Sequence, residues 1–547
     1  MNQAHPTTNT PATSEKTFKR QSNAATQTVN PTLSFWQAWP WWCLPAVIGL
    51  ILVLIFVDPF IGDWDGMDYT ILSLAGYPSS MALGRNLFIF GNHALYQIAH
   101  AVFNIQPEHA YLIFKYAVVA QAPLAVVACW VLARDFTKSV HAASLAALFI
   151  VLSPVFVLYG GQVMTDVPSV LLLSLALLIH YRGVQQERVW LVIAGAALLG
   201  MGVNLRETMG FYAPWLLVAP FVCGWKFQRR QIFVVAISCL IFFLCAAAWF
   251  AFWFITDAHY RWIWFGWRQS MLQENARHPV TLHSLRPYLG YFFVSAPIVL
   301  LSLPFALWNE WRERKLSPLL LLAAMGLLCD LLLYFNYGTA VNWRYFLTGL
   351  PAIAPLCANF LIRTLSRRLG SIRIAFVTCV TVAVVIAGVF GFLSRRTGRQ
   401  FSERRAMSKE YRRQLANVPR DAVMISGSQT IAVIYWKAIG AGDWKTIGTG
   451  GGWPGDNLVP LIENYLAENR RVFVDSDPRW WVPCGWQRDE IPAIVSLQGR
   501  FSFRRVTDTI YELRPRGEAG ATDSPNLERL LPANRPEDVK KCPQLSS

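Results

Sequence analysis

Eleven apolar stretches, each near the length of a bilayer's hydrocarbon core, leave this chain few folds to adopt. A core about 30 Å thick needs roughly 17 to 25 apolar residues per helix. The stretches run approximately over 41–57, 111–133, 142–159, 167–181, 189–203, 208–224, 232–256, 288–308, 318–335, 344–362 and 374–393, the fourth and fifth being short. Over 547 residues the chain is 54% hydrophobic and only 15% charged. That composition excludes a disordered chain, a coiled coil and a collagen, and fits a polytopic α-helical membrane protein carrying a soluble part.

The flanks sort by composition. Residues 1–35, rich in Ser, Thr, Asn and Gln, cannot bury enough apolar surface to order themselves and read as a disordered tail. The first apolar stretch starts late and lacks an A-x-A cleavage pattern, so it reads as a retained anchor. Residues 36–395 form the membrane domain, with a long first outer loop at 58–110. Alternate connections carry Arg134/Lys138, Arg182/Arg188, Lys226/Arg229/Arg230, Arg312/Arg314/Lys315 and Arg363/Arg367/Arg368/Arg373, whereas 58–110, 160–166 and 336–343 carry only Arg85. Basic loops stay in the cytoplasm. The N-terminus is therefore expected inside, and residues beyond 394 outside, periplasmic if the membrane is a bacterial inner membrane. The run Arg395 to Arg413 then sits outside, where long translocated segments obey the charge rule weakly.

Charge and cysteine usage narrow the function. The excess of +16, from 49 Lys and Arg against 33 Asp and Glu, is spent on orienting spans, and no basic-aromatic module for nucleic acid is visible. Eight of ten cysteines lie in apolar segments without metal-ligand spacing, which argues against a disulfide framework or a zinc site. Cys484 and Cys542 lie in the polar region, their pairing open.

Past residue 415 short strands alternate with helices: AVMISG, SQTIAVIYWKAI, WKTIGTG, DNLVPLIENYLAEN, RVFVDSD and FRRVTDTIYELR. This predicts a small α/β domain over 396–515, followed by a loose tail over 516–547. The Gly448–Gly452 run is not followed by Gly-Lys-Ser/Thr and reads as a turn rather than a phosphate loop.

Chemistry concentrates at one face. The first outer loop opens with Asp58, Asp63, Trp64, Asp65, Gly66, Met67, Asp68 and Tyr69. If the segment after Trp64 is helical, Asp65 and Asp68 stand three apart on one face. They could accept a hydroxyl proton or share a divalent metal ion; equally, they could mark the outer end of a span or cap a helix. Asp166 lies in a short outer turn, in Met164-Thr165-Asp166-Val167-Pro168. Acids near a span face a wet cavity or a partner, though Asp166 with Pro168 also fits a helix start. Arg206 with Glu207, and Arg344 in Asn342-Trp343-Arg344-Tyr345, lie on the same side. They read either as snorkelling helix ends or as planar cations for a phosphate. Lys115, His93, His100 and His109 are weaker candidates.

The acidic loop Trp64-Asp65-Gly66-Met67-Asp68-Tyr69, the stretch Pro154 to Tyr159 with Met164-Thr165-Asp166-x-Pro168, and Arg344-Tyr345-Phe346-Leu347-Thr348-Gly349-Leu350-Pro351 resemble the GT-C glycosyltransferases of the family 39 type. That group includes protein O-mannosyltransferases and lipid A aminoarabinose transferases, and the resemblance covers roughly residues 40–395. It implies a GT-C-like membrane domain that moves a sugar from a polyprenyl-phosphate carrier to a protein, lipid or glycan acceptor at the outer face. It also implies an acidic base at Asp65 or Asp68, with Asp63 behind them, and a second acid at Asp166. Tyr69, Arg206, Glu207, Arg344 and Tyr345 would bind substrate. This chain has Asp65-Gly66 where the family commonly has Asp-Glu, which leaves the identity of the base open. A transporter or lipid-carrier flippase is the competing class; such folds show paired repeats and interrupted helices in both halves, and neither is visible here.

Overall fold

In a computed structural model, the structure describes residues 34–57, 64–79, 83–277, 282–312, 316–336, 343–395, 397–398, 401–402, 412–426, 430–448, 458–475, 497 and 499–516. The chain divides into two compact units, Met1–Pro40 and Trp41–Ser547. In the first, the backbone N–H of Gln37 donates to Ser34 Oγ at 3.2 Å and that of Ser34 to Gln37 Oε1 at 3.0 Å. Such a reciprocal cap satisfies donors that a helix start leaves orphaned. The rest of the N-terminal tail, Asp58, Asp63, residues 449–452 of the glycine run, Cys484, Cys542 and the tail beyond residue 516 lie outside the described residues.

Helices dominate the second unit. After α1 (Trp39–Ile55) come α2 (Trp64–Ala75) and α3 (Asn86–Phe103) in the first outer loop. There follow α4 (Pro107–Thr137), α5 (Val140–Val151), α6 (Pro154–Gly160), α7 (Asp166–Gln185) and α8 (Val189–Val203). A 3-10 turn (Glu207–Tyr212) leads to α9 (Ala213–Val222), α10 (Arg229–Thr256), α11 (Ala258–Arg277), α12 (Leu282–Ser295), α13 (Pro297–Arg312) and α14 (Pro318–Asn336). A second 3-10 turn (Trp343–Tyr345) opens α15 (Phe346–Leu369), and α16 (Ile372–Ile386) ends in a π turn (Ala387–Phe392). Helices are the local solution here because lipid offers no hydrogen bonds to the backbone. Among the described residues six helices are long and apolar enough to cross a membrane, and eight spans result if each of two bent pairs counts as one. α1 and α8, of 17 and 15 residues, are shorter apolar helices.

The bent pairs modify the expected spans. α5 and α6 meet at 64°, and α12 and α13 at 107°. The expected eighth span over 288–308 is therefore corrected: it is no straight rod but turns sharply at Ala296. Pro297 causes this, since it has no N–H to continue the ladder and disfavours helical backbone at the residue before it. Elsewhere glycine lets helices approach closely. A Cβ at Gly195 on α8 would stand 2.6 Å from the His180 backbone nitrogen on α7, and one at Gly326 on α14 would stand 2.8 Å from the Gly349 carbonyl on α15. Small residues at such crossings are how membrane helices gain dispersion contacts.

The C-terminal part carries a five-stranded sheet in the order β2-β1-β3-β5-β4, as the alternating pattern predicts. β1 (Val423–Ser426), β2 (Lys445–Gly448) and β3 (Val472–Asp475) are parallel, linked through α17 (Thr430–Ala438) and α18 (Leu458–Ala467). β4 (Phe501–Arg505) and β5 (Ile510–Pro515) close it as an antiparallel hairpin, with Val472 opposite Leu513. Val423, Ile425, Ile462, Val474, Phe503 and Leu513 form its core. This part packs on the membrane domain, with α17 lying against α2.

Candidate active site

Five short pieces of chain meet where the loops join the helices. Asp65 sits in the first turn of α2, where the helix dipole favours a negative charge. That turn is braced by Thr70, whose hydroxyl donates to the Gly66 carbonyl at 2.8 Å. Asp68 follows on the same face, half-buried. Asp166 is the first residue of α7 and is buried. Arg206 caps the first 3-10 turn and Glu207 opens it, while Arg344 and Tyr345 lie in the second one.

These pieces are tied by ion pairs. Arg344 Nη2 lies 2.5 Å from Asp65 Oδ2. Arg206 pairs with Asp166, both almost wholly buried. Arg85 Nη1 lies 2.7 Å from Glu207 Oε2, and its Nη2 donates to Oε1 at 3.0 Å. Tyr345 joins the first two pairs, since its ring centroid lies 5.1 Å from the Arg206 guanidinium and 5.4 Å from that of Arg344. Tyr69 is buried in the field of Arg85, Asp65, Arg344 and Glu207, and burial pushes its phenol above the ordinary range. Burial alone would depress the Arg85 guanidinium, but Glu207 together with the Tyr69 and Tyr345 phenols outweighs it and keeps the charge.

The structure thus brings together eight of the nine residues singled out from the sequence: Asp65, Asp68, Tyr69, Asp166, Arg206, Glu207, Arg344 and Tyr345. The ninth, Asp63, lies outside the described residues. The weaker candidates stand apart in packing roles: His93 bonds the Ser73 carbonyl and His100 that of Ile105, and Lys115 lies over the Tyr111 ring.

Two residues were missed. Arg85 was used only as a mark of topology, yet it is the single cation in the first outer loop, and that loneliness is the signal. Its backbone is left-handed, at φ 50°, a conformation that costs a non-glycine residue energy and that tertiary context must enforce. Here Leu87 N–H donates to the Asn204 carbonyl at 3.1 Å, tying the turn to the end of α8. Asp330 is the second. It is 4% exposed on α14, and neither carboxyl oxygen has a hydrogen-bond partner among the described residues. It abuts Gly349, one helical turn beyond Tyr345. A lone acid inside an apolar segment was its signal.

Among the described residues no three His, Cys, Asp or Glu side chains converge as metal donors. Asp58 and Asp63 of the acidic loop lie outside the described residues, and no step is assigned to a divalent ion.

Asp68 differs from the other acids. No hydrogen bond or ion pair holds its carboxyl among the described residues, and burial, reinforced by the charge of Asp65, pushes it up to about 7. In the unfolded chain it titrates near 3.8. Between those values the folded protein holds a proton that the unfolded one does not, so stability falls as pH rises through the window. Asp68→Asn imitates the protonated acid. Its thermal midpoint is expected to match wild type near pH 4 and to exceed it by a margin that grows towards pH 8. A margin independent of pH would contradict this assignment.

Comparison with known proteins agrees with the fold. Residues 93–253 match the family model of dolichyl-phosphate-mannose-protein mannosyltransferase, a stretch that includes Asp166, Arg206 and Glu207. Among solved structures, ArnT from Cupriavidus metallidurans bound to undecaprenyl phosphate superposes with a TM-score of 0.56 at 12% identity, over 89% of this chain and 99% of that one. The Archaeoglobus fulgidus oligosaccharyltransferase reaches 0.49 at 12% identity, over 87% and 73%. Comparison with curated proteins returns no match. The chain shares the fold of the ArnT structure, in agreement with the resemblance drawn from the sequence, and the stretch from α3 to α10 is similar to the mannosyltransferase family model.

Proposed function

We propose that this protein is a membrane glycosyltransferase that moves a sugar from a polyprenyl-phosphate carrier to an acceptor hydroxyl at the outer face of a cell membrane, the inner one if the cell has two. The observation that carries the reading is the meeting of Asp65 and Asp68 with three guanidinium groups drawn from three other turns. Arg85, Arg206 and Arg344 can each neutralise a phosphate oxygen, and planar guanidinium suits that task. Each is held in place by an acidic partner, Arg85 by Glu207, Arg206 by Asp166 and Arg344 by Asp65.

In this reading Asp65 is the base. Arg344 pairs with it and orients it, whereas Asp68 retains its proton below about pH 7. Asp65 takes the acceptor proton as the acceptor oxygen bonds to the anomeric carbon and the bond from that carbon to the phosphate oxygen breaks. The guanidinium groups stabilise the departing polyprenyl phosphate. Asp166 acts through Arg206, which it orients against Tyr345. The ArnT structure with undecaprenyl phosphate supports the choice of carrier.

A one-step displacement inverts configuration. Purified protein in vesicles, supplied with polyprenyl-phosphate sugars of known anomeric form, is expected to yield product of opposite configuration by NMR. Retention would overturn the one-step reading.

A further inference from the structure

We propose that Arg471, Arg504 and Arg514 on the C-terminal sheet form a binding site for a phosphate monoester group, apart from the candidate active site. The two faces of the sheet differ. Side chains alternate along a strand, and the face that carries Val474, Phe503 and Leu513 is the apolar one, packed against Ile462 of α18. On the other face the register sets Phe473 of β3, Glu512 of β5 and Arg504 of β4 side by side. Arg514, two positions along β5, and Arg471, two positions before Phe473, extend that row.

Three guanidinium groups converge there on one carboxylate. Arg471 Nε donates to Glu512 Oε1 at 2.5 Å, while Arg504 Nη2 and Arg514 Nη2 reach Oε2 at 2.7 and 3.1 Å. The Glu512 side chain is only 5% exposed, whereas those of Arg471, Arg504 and Arg514 are 49%, 43% and 28% exposed. Burial alone would raise the Glu512 carboxyl, but the hydrogen bonds and charges of Arg471, Arg514 and Arg504 outweigh it and hold it below the ordinary range. It is therefore a carboxylate at neutral pH, and guanidinium is always charged. Three positive charges meet one negative charge, which leaves an excess of two. Elsewhere on this part cations pair singly, Arg505 with Asp508 at 2.6 Å and Lys437 with Asp443 at 3.0 Å. Asp475, the acid of β3 on the same face, stands four residues from Arg471 and so about 13 Å along the strand.

The charge count selects the ligand. Glu512 takes up only part of the five donors that each guanidinium offers, and the exposed side chains keep the remainder accessible. Guanidinium binds carboxylate and phosphate alike. A phosphate monoester, however, carries about −1.5 to −2 charges at pH 7 and three acceptor oxygens, one for each arginine. It cancels the excess of two, where a carboxylate or a phosphodiester cancels half. The Arg471 guanidinium also stands 5.2 Å from the centre of the buried Phe473 ring, an apolar floor that strengthens the charge interactions above it. The inference stands whether or not the protein transfers sugar.

The test uses the full chain in bilayer discs of phosphatidylcholine and follows phenylglyoxal modification of each arginine by mass spectrometry, with Arg505 as the internal reference. Inorganic phosphate, replacing chloride at constant ionic strength, is expected to slow modification of Arg471, Arg504 and Arg514 several-fold and to leave Arg505 unchanged. Arg504→Gln, on the edge strand β4, should remove most of that protection at Arg471 and Arg514. Arg471→Gln should do the same at Arg504 and Arg514, and either variant decides the matter if the other does not fold. Discs containing phosphatidic acid, without added phosphate, identify the source. Protection there as well assigns the group to a lipid headgroup, and protection by inorganic phosphate alone assigns it to a soluble or polymer-borne monoester; both support the site. Equal modification in phosphate and chloride, slowing shared by Arg505, or protection that the variants retain overturns the proposal and leaves the three arginines as a brace for the hairpin of β4 and β5.

Discussion

Asp65→Asn is expected to slow sugar transfer by about two to four orders of magnitude, the range a positioned general base supplies. The amide keeps the size of the carboxylate and still offers Arg344 an acceptor oxygen, so the fold and the polyprenyl-phosphate affinity should hold. The loss should therefore fall on kcat rather than KM, as it does for an interaction made only in the transition state. Asp68→Asn serves as the internal comparison. It removes a neighbour of the base and not the base itself, so its effect on kcat should be smaller by about tenfold or more. If Asp65→Asn transfers sugar at the wild-type rate while Asp68→Asn does not, the roles of the two acids are reversed.

Breaking the buried pair between Asp166 and Arg206 is expected to produce the second large effect. Neither side chain reaches water, so Asp166→Ala leaves a guanidinium buried without its counter-charge and should cost about 3–5 kcal/mol of stability. Replacing both, as Asp166→Leu with Arg206→Met, removes the uncompensated charge and should recover most of that loss, because apolar pairs of similar volume often match a buried ion pair. Activity should not return, since the double variant keeps only one of the two guanidinium groups stacked on Tyr345. Thermal unfolding and transfer rate on the single and double variants separate the two effects. A double variant that regains both would reduce the pair to a packing element.

Much of the candidate site was legible because membrane physics makes charge conspicuous. Asp65, Asp166, Arg206 and Arg344 stand out against apolar surroundings, and the alternation of basic loops assigns them to one face before any geometry is known. Pairings were not legible. Nothing local says that Arg344 reaches Asp65 across 279 positions of sequence, or that Arg206 reaches Asp166 rather than Glu207 beside it. Arg85 was passed over because its role depends on the left-handed turn that Gly84 and Asn204 build around it. Apolar length located the spans but not their breaks: 288–308 reads as one helix until Pro297 is weighed against its neighbours. In the α/β part, short apolar runs bounded by turn residues predicted strands and helices that the sheet bears out.

The account is tested most directly by reconstituting the purified protein in vesicles with a panel of labelled polyprenyl-phosphate sugars and candidate acceptors, and comparing it with Asp65→Asn and Arg344→Gln. The account predicts that label leaves the carrier for an acceptor with release of polyprenyl phosphate, and that both substitutions abolish this while the proteins remain folded. Label moving across the bilayer still attached to its carrier, at equal rates in all three proteins, would contradict it.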